Sequence, residues 1–243
     1  MEIALRTDVG RRRKVNQDYT GRAYNLDNNL LLVVADGMGG HSSGDFASSS
    51  AVNMLTSEFE KTSFKSVDEV KEWLYTNLLA INEYIYNYSR EEVSYYGMGT
   101  TLVAVIFYEN ELIFVNVGDS RLYIINNGKI CQVSEDQTFV HSLYRAGYLN
   151  EEEAHNHPRR NVLLFAIGTE KNLQMQIDTF SADCDYVLLC SDGLYNMVED
   201  NEILEIVNEA GIDLETKVDR LIETANRNGG IDNIAIILVE VRL

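Results

Sequence analysis

Residues 100–133 read TTLVAVIFYENELIFVNVGDSRLYIINNGKICQV. Four apolar, β-branched runs follow one another here: Thr100–Tyr108, Leu112–Val117, Leu122–Ile125 and Lys129–Val133. Asn127-Gly128 between the last two is the pair that a type I′ hairpin turn prefers. Connections this short force successive strands to pair antiparallel. Outward from this block, Leu30 to Ala35 is continuously apolar, which suits a central strand or one covered by helices. Residues 2–9 alternate through Ile3, Leu5, Thr7 and Val9, and Leu173–Phe180 alternates as well. Tyr186–Cys190 and Ile234–Val241 are further strands. Helices are expected over Ser43–Phe59 and after Ser66-Val67-Asp68-Glu69, a capping box followed by Val70, Leu74, Leu78, Ile81 and Ile85 on one face. Residues 138–157 read as polar and helical with Gly147 as a cap, and residues 201–209 and 214–226 as two more helices. Helices that bracket a run of antiparallel strands point to an α+β fold, with helices packed on a β-sandwich.

At 243 residues with a single proline, Pro158, and no linker-like tract, the chain reads as one domain, 1–243. A net charge of −18 argues for solubility and against binding to nucleic acid or anionic membranes, with Arg11-Arg12-Arg13-Lys14 the one basic run. No apolar stretch approaches the ~20 residues of a membrane span, and the first residues lack the layout of a signal peptide. Cys131, Cys184 and Cys190 are expected as reduced, buried thiols, which fits a cytoplasmic protein.

Five aspartates sit at the margins of the apolar runs, most beside glycine. Asp36 ends LLLVVAD, Asp119 follows LIFVNVG, Asp192 ends YVLLCSD, Asp232 opens NIAIILVEV, and Asp18 closes Asn16-Gln17-Asp18. An acid and a glycine at a strand end place a carboxylate at the lip of a packed core with room for close approach. If these lips converge, like charges about 4 Å apart repel by roughly 4 kcal/mol at an effective dielectric of 20. Hard cations are the usual remedy for an all-oxygen set. Any one such aspartate is more often a turn former or helix cap. His41, His155 and His157 read as capping, packing or surface residues rather than catalytic ones, and Trp73 as core.

The ordered motifs Arg13…Asn16-Gln17-Asp18, Asp36-Gly37-Met38-Gly39-Gly40-His41, Gly97-Met98-Gly99-Thr100-Thr101, Gly118-Asp119-Ser120-Arg121, Ser191-Asp192-Gly193 and Gly230-Ile231-Asp232-Asn233 span nearly the whole chain. Together they resemble the type 2C (PPM) metal-dependent serine/threonine protein phosphatases, the compact bacterial members most closely. The resemblance implies a four-layer αββα sandwich of two antiparallel sheets flanked by helices. It also implies two divalent ions, Mn2+ or Mg2+, and a third held more weakly. Asp36 would bridge two ions, Asp192 and Asp232 would complete the first shell, and Asp18 with the Gly37 carbonyl would serve the second. Asp119 and Asp192 match the third, and Arg13 would hold the substrate phosphate. The implied reaction is hydrolysis of phosphoserine and phosphothreonine in proteins by a water bridging two ions. An arginine suits the phosphate because it forks two hydrogen bonds. Phosphoprotein substrates, a cognate serine/threonine kinase and a monomeric state follow from the resemblance, and the bacterial cytoplasm agrees with the reading of the cysteines.

The chain departs from the family pattern at several positions. Met38 stands where animal relatives carry a histidine proposed as general acid. In the flap-like segment, about 134–168, Gln137 replaces a usual histidine and Leu164-Phe165 a frequent Thr-Arg pair. Fewer cations there leave the flap less able to grip a second anionic group. Two other readings stay open from sequence: a catalytically inactive phosphoprotein-binding scaffold of the same fold, and a metal phosphohydrolase acting on small phosphoesters.

Overall fold

The structure is a computed structural model that describes residues 1–40, 43–91 and 93–241. His41 falls outside the described residues. The chain begins with strands β1 (Glu2–Asp8), β2 (Asp18–Tyr24) and β3 (Leu30–Met38), then helices α1 (Ser43–Phe59) and α2 (Val67–Glu91). The β-rich middle holds β4 (Gly99–Thr100), β5 (Leu102–Tyr108), β6 (Glu111–Val117), β7 (Arg121–Asn126) and β8 (Lys129–Gln132). Two short helices, α3 (Phe139–Arg145) and α4 (Glu151–His155), precede β9 (Gln176–Ser181) and β10 (Tyr186–Cys190). The chain then forms α5 (Asp192–Tyr195), α6 (Asp200–Val207), α7 (Leu214–Arg227) and β11 (Ile234–Glu240).

Two sheets form, every pairing antiparallel. One has the order β1-β11-β10-β7-β8, the other β2-β3-β5-β6-β9 with β4 on the end of β3. The period-2 geometry of β3 sorts its apolar run between two cores. Leu31, Val33 and Ala35 pack with α1 and α2, where Leu55, Phe59, Leu74 and Leu78 are buried. Leu30, Leu32 and Val34 turn to the other sheet and meet Leu189, Ile237 and Val239. A third core lies between the first sheet and α5–α7, with Tyr123, Leu188, Ile236, Val218 and Leu221. The layers are therefore helix, sheet, sheet, helix, as expected.

The expected succession of four paired strands needs one correction. β5 pairs β6 and β7 pairs β8, but β6 and β7 lie in different sheets. The residues Gly118-Asp119-Ser120 carry the chain across the sandwich, so this short connection turns a corner instead of closing a hairpin. Four smaller differences have local causes. The polar segment 138–157 splits into α3 and α4 around Gly147, whose φ of +77° ends the first helix. β2 was not anticipated, because Ala23 is its one buried apolar side chain and gives no alternating signal. Cys184 and Cys190 are buried free thiols, but Cys131 is exposed on the four-residue strand β8. Ser66 caps α2 through Glu69 N (3.2 Å), whereas the Glu69 carboxylate reaches back to Lys65 N (2.8 Å), one residue earlier than the capping box expects. Among the described residues, no helix is long and apolar enough to cross a membrane.

Candidate active site

The pairing of β2 with β3 sets Asp18 opposite Asp36. The backbone of Asp36 is held on both sides by the turn at β4. Its N–H donates to Thr101 Oγ1 (3.0 Å), and its carbonyl accepts from Thr101 N (2.9 Å) and Thr100 Oγ1 (2.9 Å). Thr101 Oγ1 also meets Ser120 Oγ at 2.7 Å, which ties the Asp36 strand to the crossover carrying Asp119. Asp192 opens α5 directly after β10. Its neighbour Ser191 donates from Oγ to Asp18 Oδ2 (2.6 Å) and accepts from Ala235 N (2.8 Å), linking β10 to β2 and β11. Asp232 precedes Asn233, whose side chain accepts from Gln17 N (2.9 Å) and donates to the carbonyls of Val9 (2.9 Å) and Val15 (3.0 Å). Thr100, Thr101, Ser191 and Asn233 thus lock together the loops that carry the acids. Sequence reading placed them inside motifs without a role, since a buried hydroxyl or amide has no signature of its own.

The glycines beside two of the acids permit close approach of backbones. A Cβ on Gly37 would lie 2.1 Å from the Gly44 carbonyl oxygen, and one on Gly193 would lie 1.9 Å from that of Asn233. No side chain fits at either position.

A cavity of about 570 Å3 opens over this assembly, lined in part by Arg13, Asp36, Gly37, Asp119, Asp192 and Asp232. Asp18 lies beneath it, buried against Ser191 and reaching the cavity through its partner Asp36. Burial is the first cause that raises the Asp36 carboxyl well above the usual range, followed by the charges of Asp18, Asp192, Asp119 and Asp232. Burial likewise raises Asp18 to about 8, opposed by the Ser191 hydroxyl. It raises Asp119 to about 8, with the charge of Asp192 adding to it. It raises Asp192 to about 6, with the charge of Asp232 next. The five aspartates therefore act on one another, which scattered turn formers do not.

Arg13 Nη2 pairs with Asp232 Oδ2 at 2.7 Å on the rim of the cavity. That bond is the main reason its charge is held more tightly than in water, with the charges of Asp192 and Asp36 contributing. Arg11, Arg12 and Lys14 are exposed. His155 is exposed on α4, and Trp73 packs edge-on to Phe59 and Phe64.

The donor set could hold hard divalent ions. It is all oxygen, largely buried, and short of positive charge. Asp192 Oδ1 is buried with no hydrogen-bond partner, while Oδ2 accepts from Asn196 (3.0 Å). An orphaned carboxylate oxygen is costly without a cation or donor. Among the described residues, however, no three acids, histidines or cysteines converge as a ready-made cage. The carboxylates are engaged with protein donors instead: Asp18 with Ser191, Asp192 with Asn196 and Asp232 with Arg13.

Gln137 has a structural part. Its Oε1 accepts from Gly118 N (3.0 Å), and its own N–H donates to the Gly118 carbonyl (2.9 Å), so it clamps the base of the 134–168 segment to the residue before Asp119.

The family model for protein phosphatase 2C matches residues 9–238. The chain belongs to the protein phosphatase 2C family. Within it, the chain is 43% identical over 244 residues to the serine/threonine phosphatase stp of Listeria monocytogenes, an alignment covering 99% of this chain and 96% of the relative. It is 39% identical to the protein phosphatase PhpP of Streptococcus pneumoniae, covering 99% and 98%. The crystal structure of serine/threonine phosphatase Stp1 from Staphylococcus aureus superposes with a TM-score of 0.95 at 38% identity, covering 100% of this chain and 95% of that one. The protein phosphatase 2C fold accounts for the two antiparallel sheets and their flanking helices.

Proposed function

We propose that the chain hydrolyses phosphoserine and phosphothreonine in proteins at the cavity above Asp36. The observation that carries this reading is the one cavity lined by Asp36, Asp119, Asp192 and Asp232, with Asp18 paired to Asp36 beneath it. Family membership supports it. Residues 1–243 act as one catalytic domain, with 134–168 as its flap. Two divalent ions of the Mn2+ or Mg2+ type fit the acids. Asp36, Asp192 and Asp232 would hold one, and Asp36, Asp18 and the Gly37 carbonyl would hold the other. Asp119 and Asp192 suit a third, weaker ion. Bound there, such ions supply charge to offset a phosphate dianion and acidify a water for in-line attack.

The chain's own residues do the rest. Arg13, on the rim of the cavity, would fork two hydrogen bonds to the phosphoryl oxygens and orient the ester. Thr100 and Thr101 hold the Asp36 backbone and Ser191 holds the Asp18 carboxylate, which fixes the strand ends that carry these acids. Met38 has no proton to give, so the leaving alcohol is not protonated from that position. The enzyme acts as a cytoplasmic monomer on phosphoproteins, opposing a bacterial serine/threonine kinase.

The test is hydrolysis of a phosphothreonine peptide and of p-nitrophenyl phosphate with Mn2+, with EDTA, and in Asp192→Ala. Turnover of both esters by the wild type, abolished by EDTA and by the substitution, is expected. A silent wild type would favour a binding scaffold, and turnover of the small ester alone would favour a small-molecule phosphohydrolase.

A further inference from the structure

The cavity of about 570 Å3 is of the size that encloses a drug-sized molecule, so a phosphoryl group leaves much of it free. Its floor is acidic, but one wall is not. Leu163, Leu164, Phe165 and Ala166 line it as an unbroken apolar run, with Leu164 41% exposed. This wall would lose water if a substrate side chain covered it.

The wall is fixed to the acids. Ile167 N donates to the Thr100 carbonyl (2.8 Å) and Thr100 N to the Ile167 carbonyl (3.0 Å), while Thr100 Oγ1 holds the Asp36 carbonyl. At the other end Leu164 N donates to the Gln137 carbonyl (2.8 Å), and Gln137 is clamped on Gly118, next to Asp119. The run is therefore anchored at both ends to the strand ends that carry Asp36 and Asp119. The charges around it narrow what it can take. Among the described residues lining the cavity Arg13 is the one arginine or lysine, and it is engaged with Asp232. A second anionic group finds no partner there.

We propose that residues 163–166 form a specificity subsite for an apolar side chain adjoining the phosphorylated residue, so that preferred substrates carry Leu, Ile, Val or Phe beside the phosphoserine or phosphothreonine. This inference rests on the phosphatase reading above. Leu164 and Phe165 are its principal contacts, and Gln137 positions them.

The experiment uses the wild-type chain with Mn2+ and phosphothreonine peptides that differ only in the residue next to the phosphothreonine, set to Leu, Gly, Lys or Glu on each side in turn. On one side the Leu peptide is expected to exceed the Gly peptide in kcat/KM by about tenfold, equivalent to about 1.4 kcal/mol, with Lys and Glu at or below Gly. Leu164→Arg is expected to bring the Leu-to-Gly ratio near one, whereas Phe165→Leu, which keeps the wall apolar, preserves it. A ratio near one in the wild type, a preference for Lys or Glu, or an unchanged ratio in Leu164→Arg overturns the subsite. Flat turnover across the panel overturns the subsite alone, and no turnover of any peptide overturns the phosphatase reading together with it. The wild-type panel decides the matter even if Leu164→Arg does not fold.

Discussion

Each aspartate at the floor of the cavity is a liability to the metal-free fold and a candidate ligand in the loaded one. Asp36→Asn and Asp192→Ala should each lower turnover of a phosphothreonine peptide by about 10^3-fold or more, the scale of losing a charge-stabilising group at a reacting centre. Both should also raise the melting temperature measured in EDTA at pH 8, because a carboxyl whose ionisation the fold opposes is gone; each 1 kcal/mol corresponds to about 2–4 °C for a chain of this length. A fall in that melting temperature would mean that these carboxylates stabilise the fold by their own hydrogen bonds. Arg13→Ala should raise KM about tenfold with a smaller change in kcat, since a charged hydrogen bond contributes roughly 1.5–3 kcal/mol. Arg13→Lys should recover little, because a point charge cannot fork. An unchanged KM in steady-state assays would remove Arg13 from the phosphate contact.

At the scale of elements, Arg121 joins three parts of the fold. At the start of β7 its guanidinium grips Asp136 with Nη2 (2.7 Å) and Nε (3.0 Å), stacks 3.5 Å over the Tyr195 ring of α5, and donates to Tyr123 Oη (2.9 Å). Tyr195 Oη in turn donates to the Asp119 carbonyl (3.0 Å). Arg121→Met leaves the Asp136 carboxylate half-buried without its counter-charge, with the Gln132 amide (2.7 Å) still donating to it, and should cost about 3 kcal/mol. Asp136→Leu added to it should recover most of that loss in denaturant titration. A single-variant loss under about 1 kcal/mol would show that the pair behaves as a surface bridge. The unequal legibility of elements has the same physical origin. β3 and α1 were readable because long apolar or periodic runs fix them locally. The crossover at Gly118-Asp119-Ser120 was not, because a three-residue link can close a hairpin or change sheets, and only tertiary packing decides. α5 is four residues long and too short to display a helical period. Asp36, Asp119 and Asp192 were legible as strand-end acids beside glycine, and Asp18 and Asp232 through the ordered motifs, whereas Ser191, Asn233 and the two threonines look like any polar residue until their partners across the chain are known.

For the whole molecule, stability and pH are linked through the raised carboxyl groups. Asp18 and Asp119 near 8 and Asp192 near 6 lie above the ordinary value of 3.8. The metal-free folded state therefore holds protons that the unfolded chain has released. Its stability is greatest with respect to these groups below about pH 4, and falls as pH climbs through 6 to 8. Melting curves in EDTA from pH 5 to pH 8 should move to lower temperature, and Mn2+ should reverse the trend most at the alkaline end, where the ligands hold fewer protons for the ion to displace. Curves in EDTA that rise with pH would contradict the clustering of the acids. The net charge of −18 adds a general repulsion in the same direction, which salt should relieve while leaving the buried set little changed.

Titration calorimetry of Mn2+ into the EDTA-stripped chain at pH 7, in two buffers of different ionisation enthalpy, bears most directly on whether these distant aspartates make one site. Two ions bound per chain with release of protons, and neither bound by Asp36→Asn, is the expected result. No binding by the wild type, or the same binding by Asp36→Asn, would contradict it.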